Sequence, residues 1–475
     1  MTQDESARLF LEREYGVQRS SDLARDSLPL WSWRVTFRAP DENAEYSVNL
    51  SPSGEIVGFA RIIPKTNSGP SLSAESARIL AEAFLRKQLN FRPEEWELLT
   101  SDNLDQGVRR NHYLTYQLKG VDFRGAFSRL KVAVEGAEIG GFQRFVQVPE
   151  SWIQESKRSR NLNDTAQNAA ELLGVGLFLI AVAVTIRRNR AGRIVWRFPL
   201  IMGVSLAAVN LTGGINLLPL QIDALGALKA EGRAYVESLL LILLNAGLTG
   251  TLGMILAAAG ESWYREAYPR RLQLGQIGTV NFWRYPETTR ATLAGYGLAL
   301  FTIGFITAFG ILGKKVGIWA PLDVGYNRTA STLFPGLHPV TLALGTALLE
   351  ECWFRLFGIT YLGRVFRSRV VGVVITAVIW GYWATGFPQS PDLIIGLEWS
   401  VIGLAAGWLF LRYGWWAAIV WRLTIVTWLT GQCLTAEGSS IFTCSKWFII
   451  IILFVPLMLT AFGWLTREKL KNPNS

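Results

Sequence analysis

The chain has 475 residues, of which 50% are hydrophobic, and it carries 19 tryptophans, three cysteines and a formal net charge of +10. Three cysteines exclude a disulfide-dense scaffold. The basic residues lie beside long apolar runs and not in a patch interleaved with aromatic residues, so the charge indicates membrane topology and not nucleic-acid binding.

The first 165 residues predict a soluble α+β domain. They contain no apolar run long enough to cross a membrane, and residues 1–14 are too charged for a cleaved signal peptide. Two segments, 48–64 and 132–149, share the pattern Glu-Ile-x-Gly-Phe-x-Arg, at Glu55–Arg61 and Glu138–Arg144. Each segment has two alternating apolar stretches around a glycine-containing turn, which is typical of a β-hairpin.

A helical pattern precedes each predicted hairpin. The clearer one covers residues 73–89, where Ser71 or Ser73 can cap the helix and apolar residues recur on one face. We therefore predict a duplicated helix-hairpin unit, with helices packed on an antiparallel sheet. This arrangement resembles PepSY-type domains, small α+β modules attached to secreted or membrane peptidases. The resemblance implies a peptide-binding or inhibitory module; the alternative is a purely structural ectodomain.

The rest of the chain predicts a multi-pass, all-α membrane bundle of about nine spans. An apolar helix of roughly 20 residues crosses the hydrocarbon core, because each residue rises about 1.5 Å and the core is about 30 Å thick. The expected spans are 168–186, 198–219, 236–258, 291–312, 339–361, 371–387, 392–411, 415–432 and 447–464. We divide this region into accessory helices at 166–290, a core at 291–466 and a basic tail at 467–475.

The distribution of lysine and arginine predicts the orientation of the bundle. The connections after the first, third and fifth spans, and the tail, hold Arg187, Arg188, Arg190, Arg193, Arg197, Arg265, Arg270, Arg271, Arg284, Arg290, Arg364, Arg367, Arg369, Arg467, Lys469 and Lys471. The alternate connections hold Lys229, Arg233, Lys314, Lys315, Arg328 and Lys446. The positive-inside rule therefore places the C-terminus in the cytoplasm and, for nine spans, the N-terminal domain outside. An eight-span bundle would place that domain inside.

Two cysteines bear on the orientation. Cys433 and Cys444 both fall in a connection assigned to the outside, where a disulfide could persist. Two unpaired thiols are the alternative.

Adjacent glutamates in the fifth span are the main site candidates, because ionisable groups inside a span are costly and mark functional sites. Glu351 and Arg355 are four residues apart and can pair along one helix face. Glu350 points about 100° away and has no local partner. A buried carboxyl without a counter-ion suits a general base. The alternative is an ion-pair network that only locks helices together.

The pattern Glu350-Glu351-x-x-x-Arg355 resembles the first signature of the CPBP intramembrane proteases, also called the CAAX prenyl protease or Abi family. The similarity extends from about residue 290 to 465. It implies that the EExxxR helix supplies the catalytic glutamate. It also implies that a Phe-x-x-x-His motif and a His-x-x-x-Asn/Asp motif hold the attacking water and the oxyanion.

The chain departs from that pattern at each partner position. Trp380 stands at the phenylalanine, Ala384 at the first histidine, Arg422 at the second histidine and Val426 at the Asn/Asp. Alanine can neither orient water nor hold a metal, and arginine stays protonated and cannot act as base or neutral ligand. The resemblance therefore indicates a degenerate member of the family.

The remaining histidines do not replace the missing ones. His112 lies in the soluble domain, and His338 precedes Glu350 by about 18 Å along the helix axis at 1.5 Å per residue. We therefore predict a salt-bridged remnant at the bundle centre, in which Arg422 pairs with the glutamates of the fifth span and Glu398 is a further candidate member.

Three functions remain open from the sequence. The first is a catalytically impaired or inactive homologue that binds membrane helices or peptides, with the lipid bilayer and a membrane protein or peptide as partners. The second is an active endopeptidase using Glu350 as general base, for which the resemblance implies a divalent metal; the sequence indicates no other cofactor. The third is a transporter, which is disfavoured because no pair of broken spans recurs in two halves.

Overall fold

The computed structural model describes residues 2–26, 28–38, 45–62, 69–89, 91–105, 109–226, 231–269, 274–321, 329, 331–383, 385–435 and 440–471. Its internal contacts divide the chain into two compact units, Met1–Arg158 and Ser159–Ser475.

The first unit is an α+β domain. Its strands are β1 (Thr2–Gln3), β2 (Trp31–Arg38), β3 (Glu45–Leu50), β4 (Ile56–Ile62), β5 (Trp96–Asp105), β6 (Arg110–Leu118), β7 (Phe127–Glu135) and β8 (Glu138–Gln147). Its helices are α1 (Glu5–Asp26), which is interrupted at Gly16, and α2 (Ala74–Leu89). The strands form one antiparallel sheet in the order β1-β2-β3-β4-β8-β7-β6-β5.

The two sequence repeats meet at the centre of this sheet. Strand β4 of the first repeat pairs with β8 of the second, and Phe59 lies directly opposite Phe142. Arg61, which ends the motif in the first repeat, forms an ion pair with Glu138, which begins it in the second. The two motifs therefore run antiparallel across the seam between the two halves, and the phenylalanine at the same position of each motif meets its counterpart.

The predicted helix-hairpin unit is incomplete. The hairpins β3–β4 and β7–β8 lie where the repeats predicted them, but β2 follows α1 before the first hairpin, and β5 and β6 follow α2 before the second. The missed strands lie outside the repeated motif, and β5 carries no regular alternation of polar and apolar side chains that would have indicated it. Helix α2 covers one face of the sheet, where Ala77, Ala81 and Leu85 pack in a buried cluster with Leu114 and Val132.

The second unit is a bundle of apolar helices. They are α3 (Glu150–Arg190), which begins in the first unit, α4 (Arg197–Asn216), α5 (Leu218–Gly226), α6 (Glu231–Ala267), α7 (Val280–Arg284), α8 (Pro286–Lys315), α9 (Leu337–Glu350), α10 (Thr360–Val365), α11 (Arg369–Tyr382), α12 (Ile394–Tyr413), α13 (Trp415–Gly431) and α14 (Ser440–Lys471). A π-helical segment, Glu351–Ile359, connects α9 directly to α10.

Within the described residues, seven of these helices are long and apolar enough to cross a membrane: α3, α4, α6, α8, α12, α13 and α14. The predicted span 339–361 falls on α9 and the π segment, and the predicted span 371–387 falls on the shorter apolar helix α11. The predicted end at residue 387 is wrong, because α11 ends at Tyr382 and residues 385–393 form a loop. Pro388 provides a reason, since its ring disfavours the helical conformation at the residue before it, and helices usually end at or before that residue.

Together these elements confirm the predicted fold class, a bundle of membrane-spanning helices preceded by a soluble α+β domain. The composition of the helices supports a membrane location and contact with lipid. Cys433 and Cys444 are separate thiols in this structure, the first buried and the second exposed.

Small residues bring the helices of the bundle close together. A Cβ on Gly250 of α6 would lie 2.7 Å from the Gly203 carbonyl oxygen of α4, and one on Gly381 of α11 would lie 2.5 Å from the Ser400 backbone nitrogen of α12. Only glycine fits at such approaches, which are typical of helix pairs in membranes. The second approach holds α11 against α12 beside the candidate site.

Candidate functional site

The glutamate pair lies where an α-helix turns into a π-helix. Glu350 is the last residue of α9, and Glu351 opens the nine-residue π segment, all of which is buried. Gly260 of α6 permits close contact there, because a Cβ would lie 2.8 Å from the Leu356 side chain. Stretches of π-helix are rare and occur frequently at functional sites. The apolar pattern did not predict this segment.

Glu350 is held by two donors from distant parts of the chain. Its Oε2 accepts one hydrogen bond from Arg422 Nη2 of α13 at 2.7 Å and another from Trp380 Nε1 of α11 at 2.7 Å. The side chains of Glu350 and Arg422 are only 16% and 13% exposed. The predicted contact between Arg422 and the glutamates is therefore present. As the helix geometry predicted, none of the described partners of Glu350 lies on its own helix, and both of its donors come from other helices through tertiary packing.

Glu351 and Arg355 form the local pair that their spacing predicted. Arg355 Nη1 lies 3.2 Å from Glu351 Oε1, and both side chains are almost completely buried. Neither carboxylate oxygen of Glu351 has a hydrogen-bond partner among the described residues, so the contact is an ion pair without hydrogen-bond geometry. Charge attraction and the aromatic surroundings must offset the cost of burying these groups.

Trp380 joins the two ion pairs. Its ring centroid lies 4.3 Å from the guanidinium carbon of Arg355 and 4.9 Å from that of Arg422. Trp421 adds a second aromatic surface, 5.6 Å from the Arg355 guanidinium. An indole ring attracts a cation over its face, most strongly where water is excluded. Trp380 therefore binds the carboxylate of Glu350 through its N–H and stabilises both arginines through its ring.

Two cavities meet at Glu350. The smaller, of about 180 Å³, is lined by Glu350, Arg422 and the aromatic side chains Trp380, Trp383 and Trp399. The larger, of about 890 Å³, is a groove between α4, α6 and α9 that Glu350 also lines.

The groove is apolar along its sides and polar at a few points. Leu244 and Leu248 of α6 and Leu342 of α9 line it and are exposed. Asn210 of α4 and Asn245 of α6 also line it. A groove of this composition accommodates an apolar segment that carries an occasional hydrogen-bonding group.

The residues of the site do not fit a catalytic metal centre. Such centres use three protein ligands, most often histidine with carboxylate or cysteine. The chain has only two histidines, and the described residues contain no group of three or more His, Cys, Asp or Glu side chains that could hold a metal ion. Arg355 and Arg422 also add positive charge beside the glutamates, which disfavours a second cation.

The other predicted positions have different outcomes. Ala384 lies outside the described residues. Val426 is buried in α13, one turn after Arg422. Glu398 is buried in α12, and its Oε1 has no hydrogen-bond partner among the described residues. No contact between described residues joins Glu398 to the ion pairs.

Helix geometry explains the separation of Glu398. Gly396 and Ser400 face α11, where they meet Tyr382 and Gly381. Glu398 is two residues from each of them, so it lies about 200° around the helix and points away from Trp380.

A hydrogen-bonded clamp beside the site was not predicted. Asn163 of α3 donates to the Phe387 carbonyl and accepts from the Leu393 amide, each at 2.9 Å. Gln167 accepts from the Gly386 amide at 2.7 Å, and Ser159 donates to the Gln389 carbonyl at 3.0 Å. The polar spacing of these α3 residues, every fourth position, is the sequence signal that could have indicated a buried polar face.

Comparison with known protein families gives one match, over the segment that carries both ion pairs. Residues 333–428 match the family described as Rce1-like, type II CAAX prenyl endopeptidase Rce1-like. The chain contains an Rce1-like segment. The family that the EExxxR motif predicted is thereby confirmed for these residues. No curated protein and no solved structure matches the chain.

The Rce1-like segment contains the complete polar site. It covers α9, the π segment, α10, α11, α12 and most of α13. Glu350, Glu351, Arg355, Trp380 and Arg422 all lie within it. The helices α3 to α8 and α14 lie outside the matched residues and surround it.

Proposed function

We propose that this protein is a CAAX-protease-like membrane protein that has lost peptide cleavage and binds a membrane-spanning or peptide segment of another protein. The observation that carries the proposal is the state of Glu350. Its Oε2 already accepts hydrogen bonds from Arg422 and Trp380, at 2.7 Å each. The carboxylate is thereby engaged by a guanidinium and an indole N–H, and only its Oε1 remains to contact water as a general base would.

The groups around Glu350 stabilise negative charge but supply neither a second base nor a metal ligand. Glutamate-activated water needs a second group that orients it or a metal that lowers its pKa. Arg422 and Trp380 offer only donors, one from each side chain contacts Glu350, and neither side chain can accept a proton from water or hold a metal. The site thus acts as a structural link between α9, α11 and α13.

The groove supports the binding part of the proposal. Its volume of about 890 Å³ and its lipid-facing leucines suit an apolar segment, and its amide side chains suit a segment with a polar residue. Asn210 and Asn245 each make one hydrogen bond within their own helix, and a transmembrane helix with Ser, Thr or Asn can bind their remaining polar atoms, whereas a lipid acyl chain cannot. We therefore propose a transmembrane helix as the occupant.

We also propose a separate role for each of four consecutive parts of the chain. Residues 1–165 act as an extracytoplasmic, PepSY-like peptide-binding domain, residues 166–290 as accessory helices, residues 291–466 as the CAAX-protease-like core and residues 467–475 as a cytoplasmic basic tail. One face of the N-terminal sheet supports the first assignment. One row across the sheet, on the face opposite to Phe59 and Phe142, presents polar side chains at every strand from β2 to β6 except β4, where Gly58 lies: Arg34, Asn49, Gln143, Lys131 and Thr115.

Paired measurements on the purified full chain test the loss of cleavage. The wild type and the Glu350→Gln variant are incubated with prenylated CAAX peptides and with transmembrane peptides, and cleavage products are followed by mass spectrometry. We expect no product from either protein. Cleavage by the wild type that Glu350→Gln abolishes would overturn the proposal and favour an active endopeptidase.

Photo-crosslinking in native membranes tests the proposed occupant. A photoreactive phenylalanine replaces Leu342, which lines the groove, or Leu300, a lipid-facing residue of α8 that is 71% exposed. We expect a peptide adduct from position 342 whose crosslinked residue lies in a transmembrane segment of another protein, and lipid adducts alone from position 300. Lipid adducts alone at both positions would contradict a helix-binding groove.

A further inference from the structure

A cluster of arginines lies at the end of the bundle where α3 and α6 stop being apolar. Arg188 follows the apolar stretch of α3, Glu266 follows that of α6, and Arg364 lies in α10. Arg188 and Arg364 both form ion pairs with Glu266. Arg193, from the α3–α4 connection, forms a third ion pair with the same carboxylate. We call Arg188, Arg193 and Arg364 the arginine cluster.

The single carboxylate does not satisfy the three cations equally. Arg188 is buried and makes the close ion pair with Glu266. Arg193 and Arg364 lie at 3.7 Å and 3.8 Å from the Glu266 oxygens, and their side chains are 62% and 65% exposed. A guanidinium has five N–H donors, so both side chains retain donors for a second anion.

Aromatic contacts fix the position of Arg188 and Arg364 and of a neighbouring cation, Arg369. The Trp263 ring centroid lies 4.2 Å from the guanidinium carbon of Arg188 and 4.3 Å from that of Arg364. The Tyr268 ring is 5.0 Å from the guanidinium carbon of Arg369, at the start of α11. Guanidinium groups stacked on aromatic rings lose less conformational freedom when they bind an anion.

The Arg193 side of the cluster is also anchored. Arg265 of α6 donates to the Arg193 carbonyl at 2.8 Å, and its Nε donates to Glu261 at 2.9 Å. The α3–α4 connection therefore stays close to α6, and the exposed guanidinium of Arg193 stays beside that of Arg364. Tryptophan and tyrosine at such a position are typical of the membrane-water interface.

We propose that the arginine cluster binds the phosphate group of an anionic phospholipid, with Arg193 and Arg364 as the direct ligands. Planar guanidinium groups bind phosphate oxygens through paired hydrogen bonds. The position at the end of the apolar helices places these ligands at the level of the lipid headgroups. The buried Arg188–Glu266 pair holds the two ligands in place and need not break.

Lipid binding by the full chain in detergent micelles tests this site. Native mass spectrometry and thermal unfolding compare phosphatidylglycerol with phosphatidylcholine at equal mole fraction, and inorganic phosphate forms a separate arm. We expect a one-to-one phosphatidylglycerol adduct, a higher melting temperature with that lipid and no shift with phosphatidylcholine or inorganic phosphate.

Variants distinguish a defined lipid-binding site from nonspecific attraction between basic side chains and anionic lipid. Each arginine near an anionic surface contributes roughly a fivefold factor, so Arg193→Gln combined with Arg364→Gln should weaken phosphatidylglycerol binding roughly 25-fold. Arg412→Gln is the matched control, because Arg412 is exposed and lies two residues after Phe410, whose ring contacts Tyr268 at the same end of the bundle. The mass-spectrometric adduct count remains valid even if the double variant melts earlier.

Three outcomes would overturn the proposal. The first is full retention of the phosphatidylglycerol adduct by the double variant. The second is an equal loss in Arg412→Gln, which would indicate diffuse charge attraction. The third is a melting shift with inorganic phosphate as large as that with the lipid, which would indicate a site for a free anion.

Discussion

Arg422 Nη2 lies 2.7 Å from Glu350 Oε2, although 72 residues separate the two in sequence. The contact joins α13 to the point at which α9 becomes π-helical. Trp380 donates to the same oxygen from α11. Three helices of the Rce1-like segment are therefore linked through one carboxylate oxygen.

Removal of Arg422 should destabilise the bundle. Arg422→Ala leaves Glu350 with Trp380 as its remaining described donor, and breaking a buried ion pair costs about 3–5 kcal/mol. Because both side chains are slightly exposed, we expect a loss near the lower limit, about 3 kcal/mol. Glu350→Gln should cost less, about 1–2 kcal/mol, since an amide oxygen still accepts from both donors. Thermal unfolding of the purified chain measures both.

The exposed pair Arg233–Glu237 is the control for that measurement. Arg233→Ala should change stability by less than about 1 kcal/mol, because exposed ion pairs contribute little. A double-mutant cycle of Glu350→Gln and Arg422→Gln should give a coupling free energy of about 1 kcal/mol or more. A coupling near zero would contradict the structural role of the pair.

Trp380→Phe should destabilise the site while retaining an aromatic ring. The substitution removes the indole N–H that binds Glu350, and hydrogen bonds to charged groups contribute about 1.5–3 kcal/mol. Trp399→Phe is the matched control, because Trp399 packs against Trp380 at 5.7 Å but makes no hydrogen bond to a described residue. We expect the first variant to melt earlier than the second; equal melting temperatures would argue against the Trp380–Glu350 bond.

Asn163→Ala should release the loop at 385–393. Asn163 is fully buried, and its loss leaves the Phe387 carbonyl and the Leu393 amide without their side-chain partner. Two buried backbone groups without hydrogen-bond partners lower the free energy of unfolding by about 2–4 kcal/mol together. Hydrogen exchange should accelerate at residues 386–393, whereas Asn189→Ala should leave those amides unchanged, since the Asn189 side chain is exposed and its hydrogen bond among the described residues is to Trp196. Unchanged exchange in Asn163→Ala would rule out the clamp.

Two glycines at the seam of the N-terminal sheet should respond differently to alanine. A Cβ on Gly141 would lie 2.5 Å from the Phe59 backbone oxygen, which cannot move without separating β4 from β8. A Cβ on Gly58 would lie 3.0 Å from the end of the Asn49 side chain, which can rotate away. We expect Gly141→Ala to cost about 2 kcal/mol or more and Gly58→Ala about 1 kcal/mol or less. Hydrogen exchange of the β4 and β8 amides in the full chain measures the difference, and equal exchange in both variants would contradict it.

The orientation of the chain stays a prediction from the arginine distribution. Protease added to intact cells should remove the N-terminal domain and spare a tag at the C-terminus, because the basic connections remain in the cytoplasm. The same protease added to lysed cells should remove both. Protection of the N-terminal domain in intact cells would contradict the nine-span topology.

The sequence predicted the local features of the site well. The spacing of Glu351 and Arg355 was sufficient for their ion pair, because residues four apart share a helix face. The apolar runs predicted the helices, because only a helix satisfies its backbone inside lipid. The missing histidines predicted that Arg422 would pair with a glutamate, because an arginine at that depth needs a counter-ion.

Sequence by itself thus determined the class of protein, the two-part fold and the residue types available to the site. Tertiary structure alone decided that Glu350 and not Glu351 binds Arg422, that Trp380 is the second donor to Glu350, and that Glu398 points away. The reason is physical: local spacing fixes which side chains share a helix face, whereas contacts between helices depend on their rotation and depth. In this bundle, rotation and depth are set by close helix–helix contacts at glycines and by a π-helical segment, which the apolar periodicity does not reveal.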